Sequence, residues 1–456
     1  MPYKAIINKL RQSQNVYSLA GNMSYAVFSL VTFLLMIRLL DKETYGQWII
    51  YITAASILDM FRMGLTGTGA IRLISTTTKK EQKQYIAASY QLGIATTILV
   101  ALLFYPAYFS LKGNFSGSYF LLVLLYYPLL SVSNLSYYQA FTISQGLINF
   151  KRVMILRGMN GFLTFVFVTS YILLFQPTIE GIIISNIIAN LICSIISMAL
   201  KWDYWHLLGY YNKDSIKKIL HFGKYSSASF ISSNLLRSSD TIILSLSATM
   251  GASAIAIYAI PLKFVELVEI PLRSFTSTAL PKLSNALTES KEKFNNLLGS
   301  YISVTSLLFF PIIIALFFFS SLFLKLIGGM EYANDMELQH NILYIIIFYI
   351  FLLPFDRYSG VALFALEKPK INFIKISIML VANIIFDLFA VFMFESLEMV
   401  ALATVLFTLI GLFIGWYYIF ELTKFSLISI SNFYSSRINY ISYNLKTVFN
   451  GIGPKK

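Results

Sequence analysis

Twelve apolar stretches follow one another along this chain, each long enough to cross a bilayer and separated mostly by short polar connections. A hydrocarbon core about 30 Å thick needs roughly 20 apolar residues per helix. By that measure the predicted spans fall at about 17–40, 45–66, 85–110, 119–144, 152–175 and 179–200, then at 225–249, 252–279, 297–321, 341–366, 371–394 and 398–422. Backbone groups inside hydrocarbon must be satisfied within the segment itself, so each span is expected to be a helix. Pro106, Pro128, Pro261, Pro271, Pro311 and Pro354 fall inside spans, where kinks are tolerated if neighbouring groups take up the freed carbonyls. The expected fold class is an all-α polytopic membrane protein.

Composition agrees. The 456 residues are 57% hydrophobic and 12% charged, with mean hydropathy +0.70, whereas a soluble chain carries about 25% charged residues. A net charge of +14 raises the question of nucleic acid, but no dense basic block or aromatic–basic interleaving accompanies it, so no such partner is expected. The N-terminal MPYKAIINKLRQSQNVYSLAGNMSYAVF is basic and then apolar, like a signal peptide. Its apolar part continues to Leu40 without a small-residue cleavage site, so it is read as a retained first helix. Cys193 is the single cysteine, which excludes a disulfide within the chain. His206, His221 and His340 are scattered without ligand spacing; no metal and no cofactor is expected.

Basic residues set the orientation. Alternate connections, starting from the N-terminus, hold most of the 35 Lys and Arg: Lys4, Lys9 and Arg11; Arg72, Lys79, Lys80 and Lys83; Lys151, Arg152 and Arg157; Lys201, Lys213, Lys217, Lys218 and Lys224; Lys282, Lys291 and Lys293; Lys368, Lys370 and Lys375; and the tail. The opposite side has Arg38, Lys42, Lys112 and Lys325. Both termini are therefore expected to be cytoplasmic. DSIKKILHFGKY (214–225) and PKLSNALTESKEKF (281–294) read as amphipathic segments on the cytoplasmic surface. The first marks a boundary: an N-terminal lobe over 1–212, a linker at 213–224, a C-terminal lobe over 225–423 and a tail from 424 to 456. A shift of 210 positions brings Trp48 onto Tyr258, Asp59 onto Glu269 and Arg72-Leu73 onto Lys282-Leu283. Two related halves of this kind occur in secondary transporters, with the site at their interface.

Charges within the spans carry the functional information. A charged side chain at mid-bilayer costs about 2.5–3.5 kcal/mol on insertion scales. Asp59 and Arg62 lie in span two, Arg237 and Asp240 in span seven, and Lys263, Glu266, Glu269 and Arg273 in span eight; Asp356 and Arg357 lie in span ten and Asp387 in span eleven. Several stand three apart on one helix face, so opposite charges are neighbours. They either weld helices together as ion pairs or line a water-filled cavity for a polar or anionic cargo. On the second reading Arg62, Arg237, Lys263, Arg273 and Arg357 bind the cargo, since Arg offers paired donors to phosphate and acidic sugars. Asp59, Asp240, Glu266, Glu269, Asp356 and Asp387 are then candidates to exchange a proton or sodium.

GLTGTGA (64–70) is not a phosphate loop. No strand precedes it, no Gly-Lys-Ser/Thr closes it, and Arg72 stands where a third glycine belongs. These glycines are expected to let the second helix unwind or pack closely. No Walker motif points to ATP as the direct drive.

MIRLLDKETYGQWIIYITAASILDMFRMGLTGTGAIRLIS resembles the N-terminal signature of polysaccharide-export flippases in the multidrug/oligosaccharidyl-lipid/polysaccharide (MOP) superfamily, the O-antigen repeat-unit (Wzx-type) translocases above all. The positions that carry it are Arg38-Leu39-Leu40, Tyr45-Gly46, Gly64, Arg72 and Ser75. SSDTIILSLSATMGASAIAIYAIPLKFVELVEIPLRSFTSTALPKLSNAL is similar to the second-half signature through Asp240, Tyr258, Pro281 and Ser284, and FALEKPKINFIKISIMLVANIIFD to the opening of the eleventh span. Met399-Val400 replace the usual glycine before the last helix. The resemblance covers most of 17–420. It implies two six-helix, MATE-like lobes around a central cavity in the bacterial inner membrane. The implied cargo is a polyprenyl (undecaprenyl)-diphosphate-linked oligosaccharide repeat unit, moved to the outer leaflet for O-antigen, capsule or related lipopolysaccharide biosynthesis. A polysaccharide polymerase and a chain-length regulator are possible partners.

Two other readings stay open. A cation-coupled drug antiporter of the same superfamily would favour an acidic, aromatic pocket. A membrane polymerase or ligase would need a large outer loop with arginine and histidine, whereas the longest outer connection (322–340) holds one basic residue, Lys325. The chain is not expected to be an enzyme.

Overall fold

The computed structural model describes residues 14–113, 119–210, 212–247, 249–329 and 331–425, and among these every regular element is helical. The basic residues expected at the extreme N-terminus, and those of the tail beyond Lys424, lie outside them. The helices are α1 (Gln14–Leu39), α2 (Lys42–Thr76), α3 (Lys79–Leu111), α4 (Tyr119–Ser133), α5 (Leu135–Gly146), α6 (Phe150–Leu174) and α7 (Ile179–Ala199). After a 3-10 turn at Trp205–Leu207 come α8 (Lys213–Ser245), α9 (Gly251–Glu289), α10 (Lys291–Phe318) and α11 (Ser320–Gly328). A second turn at Ala333–Asp335 leads to α12 (Met336–Ala365), α13 (Pro369–Phe392) and α14 (Leu397–Thr423).

Twelve spans can be recognised in this order. Eight helices are long and apolar enough to cross a membrane, and α4 with α5 forms a ninth span bent by 51°. The other three, α2, α8 and α9, have 35, 33 and 39 residues but do not meet the same test among the described residues. They carry eight of the eleven intramembrane charges singled out above. Their length fits a bilayer while their composition departs from hydrocarbon.

Three expectations change. Of the two alternatives for GLTGTGA, unwinding does not occur: helix α2 runs unbroken through it, because a helix inside a bundle satisfies its own backbone and glycine alone does not open it. The segment 214–225 forms the first turns of α8. Likewise 281–289 ends α9 and 291–294 opens α10. The first segment continues directly into a long helix, whereas the second is divided at Ser290, which caps α10 by accepting from the Lys293 amide at 3.0 Å. The outer connection after α10 also contains a short helix, α11.

The chain divides into two compact units. The first comprises Met1–Ile257 with Ile327–Asn334, and the second Tyr258–Leu326 with Asp335–Lys456. The division thus falls within α9, not at the segment 213–224.

In the first unit α1 packs along α6, and α2 along α8. A Cβ on Gly21 would stand 2.8 Å from the Met154 Cα, so small residues set the helix separation. The Asp41–Gly46 stretch has a clear local logic. Asp41 caps α2 by accepting from the Thr44 amide at 2.9 Å, a favoured N-cap arrangement. Tyr45 is buried, and Gly46 lies so close to the Ala252 carbonyl that no Cβ fits. Tyr51, Ala55, Val123, Tyr127, Leu130 and Ile183 form one core; Leu73, Ile74, Tyr85, Ile143 and Ile219 belong to another.

In the second unit α14 packs against both α12 and α13. Gly411 receives the Met379 side chain, and Gly415 leaves room for Ser359 and Lys375. The start of α10 caps the end of α14, where Asn295 donates to the Thr423 carbonyl at 3.0 Å and Lys291 to the Leu422 carbonyl at 2.9 Å. Those carbonyls would otherwise lack intrahelical partners.

Candidate functional site

The intramembrane charges form two separate systems, one in each unit. In the first, Arg62 is 3% exposed and its guanidinium makes five hydrogen bonds. Nε and Nη2 donate to Asp59 Oδ1 at 3.2 and 2.8 Å, and Nη1 to Thr97 Oγ1 at 2.8 Å and the Ser131 carbonyl at 2.7 Å. Nη2 also donates to Asn134 Oδ1. Guanidinium has five N–H donors, and each has an acceptor here. Asp59 in turn accepts from the Tyr127 hydroxyl at 3.0 Å, Asn134 Nδ2 at 3.2 Å and the Tyr138 hydroxyl at 3.3 Å.

Four of these partners, Tyr127, Ser131, Asn134 and Tyr138, belong to the bent span of α4 and α5. Asn134 is the residue at the break, and Ser131 supplies a carbonyl from the last turn of α4. The Asp59–Arg62 pair therefore holds a broken span, taking up polar groups that would otherwise be stranded in an apolar environment. In this arrangement Arg62 faces protein on every side and has no donor left for cargo.

Of the pair on α8, Arg237 is exposed and Asp240 is 7% exposed.

The second unit contains the denser cluster. Glu269 on α9 is buried and accepts from two arginines, each on a different carboxylate oxygen: Arg273 Nη2 to Oε2 at 2.8 Å and Arg357 Nη2 to Oε1 at 2.7 Å. The spacing of four on α9 brings Glu269 to Arg273, whereas Arg357 arrives from α12. Side-chain exposure separates the members: 63% for Arg273, 42% for Arg357 and 4% for Glu269. A turn earlier, Lys263 pairs with Glu266 at 2.6 Å. The lysine is mostly covered and the glutamate is exposed.

Asp356 has its ionic partner on another helix. It does not pair with its neighbour Arg357, because successive residues on a helix point about 100° apart. Its partner is Lys375 of α13, at 2.6 Å. Lys375 had been counted among loop lysines, yet it is 2% exposed and also donates to Ser359 Oγ at 2.7 Å and the Asp356 carbonyl at 3.2 Å. A signal was present, since Lys375 lies one turn inside the span that starts near 371. Asp387, on the same helix, is fully buried.

Helices of this number and order define a class. The chain is similar to a multidrug resistance MATE family transporter of the MOP superfamily in its inward-facing conformation, with TM-score 0.73 and 16% identity over 91% of this chain and 100% of that one. It is similar to the lipid II flippase MurJ in an inward closed conformation, with TM-score 0.69 and 17% identity over 97% of this chain and 94% of that one. A MOP superfamily transporter from Pyrococcus furiosus gives TM-score 0.59 and 15% identity over 89% and 93%. This is the fold of the MOP superfamily, in a multi-pass membrane protein. The chain belongs to the polysaccharide biosynthesis protein family, whose model matches residues 14–287. No curated protein matches it.

Proposed function

We propose that this protein is a flippase that carries a polyprenyl-diphosphate-linked oligosaccharide from the cytoplasmic to the outer leaflet of a bacterial inner membrane, for surface polysaccharide such as O-antigen or capsule. The carrying observation is the pair of exposed arginines, Arg273 and Arg357, converging on one buried carboxylate. Such a pair offers donors to a diphosphate, and Arg engages phosphate oxygens in a bidentate manner. Family membership and the likeness to a lipid II flippase support a lipid-linked saccharide over a drug. Exposed arginine in the second unit disfavours a cationic drug.

In this reading Arg273 and Arg357 hold the headgroup, and Arg237 and Lys263 are further contacts. Arg62 acts through the shape of its unit. Asp240, Glu266, Asp356 and Asp387 are the candidates for proton or sodium coupling, with both termini cytoplasmic. The protein transports without making bonds, and a polymerase with its chain-length regulator would receive the product.

The test is reconstitution into liposomes with defined lipid-linked sugars, scoring leaflet exchange. Exchange that depends on protein and on Arg273 and Arg357 is expected. No exchange of any lipid-linked sugar would overturn the proposal.

A further inference from the structure

Glu269 stands where an anionic ligand would be expected. Its two oxygens are taken by guanidinium groups from different helices, at 2.8 and 2.7 Å, which is how a bridging phosphate would be held. The carboxylate is 4% exposed, against 63% for Arg273 and 42% for Arg357. Arginine forms comparable paired hydrogen bonds with carboxylate and phosphate oxygens, so an incoming anion and Glu269 compete for the same donors.

We propose that Glu269 is the specificity-determining residue of this site, an internal anion that a diphosphate displaces from Arg273 and Arg357 and a singly charged anion does not. The inference rests on the anionic-cargo reading above. A single negative charge from outside offers the arginines nothing that Glu269 does not already supply, and it must also give up its own water. A diphosphate brings more charge and enough oxygens to engage both guanidinium groups together. The carboxylate therefore lowers affinity for every anion and rejects the weaker class. It also ensures that the cargo leaves, because Glu269 can reclaim both arginines when the headgroup departs.

The test uses the full-length protein in detergent, with inorganic pyrophosphate and formate as probes and calorimetry as the readout. Glu269→Gln should bind pyrophosphate about ten-fold tighter than the unaltered protein, or more, as expected when a charged hydrogen-bond competitor is removed. It should also gain measurable formate binding. Adding Arg273→Ala or Arg357→Ala to Glu269→Gln should reverse the gain. Weaker pyrophosphate binding in Glu269→Gln would mean that Glu269 merely props the arginines, which overturns the inference while leaving the anionic-cargo reading in place. Pyrophosphate binding to neither protein overturns that reading, and the inference with it. A measurement on the unaltered chain covers failure of the variant to fold: pyrophosphate binding should change the infrared carboxylate band. Binding without such a change would show that no carboxylate gave up its arginines, and would also overturn the inference.

Discussion

Arg62 Nη1 lies 2.7 Å from the carbonyl oxygen of Ser131, in the last turn of α4 before the chain bends into α5. One side chain thus completes a backbone that another helix leaves open. Removing one partner of a buried ion pair costs about 3–5 kcal/mol, because the other charge remains uncompensated. Arg62→Ala should therefore lower the thermal stability of the purified protein strongly, and Asp59→Asn by less. Arg62→Lys keeps the charge but cannot make all five hydrogen bonds, and should fall between. A thermal unfolding series in detergent checks the order. Arg62→Ala with unaltered stability and lost transport would instead assign Arg62 to the cargo.

Lys375 and Asp356 permit a sharper test. Each single substitution, Lys375→Met or Asp356→Leu, should destabilise by about 3–5 kcal/mol, whereas replacing both should recover most of the loss, as when a buried pair gives way to apolar groups of similar volume. A double-mutant cycle measures the coupling directly. Additive effects would show that the pair makes no net contribution. If the double variant is stable but inactive, the pair belongs to the transport cycle and not only to the fold.

Asp203 gives a pH signature outside the spans. It is fully buried in the connection between α7 and α8. Burial lifts its carboxyl above the ordinary 3.8, although the Trp205 amide and the Tyr90 hydroxyl oppose the rise by donating to it. The folded chain therefore holds this proton to a higher pH than the unfolded chain. Its contribution is greatest at low pH and is lost as pH rises from the ordinary carboxylate value through the raised one. Unfolding measured across that window should show the stability of the unaltered protein falling relative to Asp203→Asn. A flat difference would contradict the burial argument.

The membrane potential should also drive the proposed transport. Moving charge outward from a negative interior gains about 2.3 kcal/mol per charge per 100 mV, so roughly 4–5 kcal/mol for a headgroup with two negative charges. In vesicles of set orientation, collapsing the potential with a potassium ionophore at equal pH and sodium should reduce directional translocation. Undiminished translocation would remove the electrical drive.

Much of this protein was determined by its sequence alone, because hydropathy and the cost of a buried charge are local quantities. A run of about 20 apolar residues is a span whatever its neighbours are. Asp59, Arg62, Glu269, Asp356 and Asp387 could be singled out because each is costly where it stands. Some pairings were also legible, since residues three or four apart on one helix meet regardless of the rest, as Asp59 meets Arg62 and Glu269 meets Arg273. Only the tertiary structure decided the partners across helices. Asp356 turns from Arg357 toward Lys375, Arg357 reaches Glu269 from a helix 88 positions away in sequence, and the acceptors around Arg62 come from α3 and the α4–α5 bend. Which face of one helix meets which face of another depends on packing among all of them, through glycines such as Gly415 that set how closely backbones approach. That choice separated an arginine occupied in holding its own fold from two arginines that stay partly exposed.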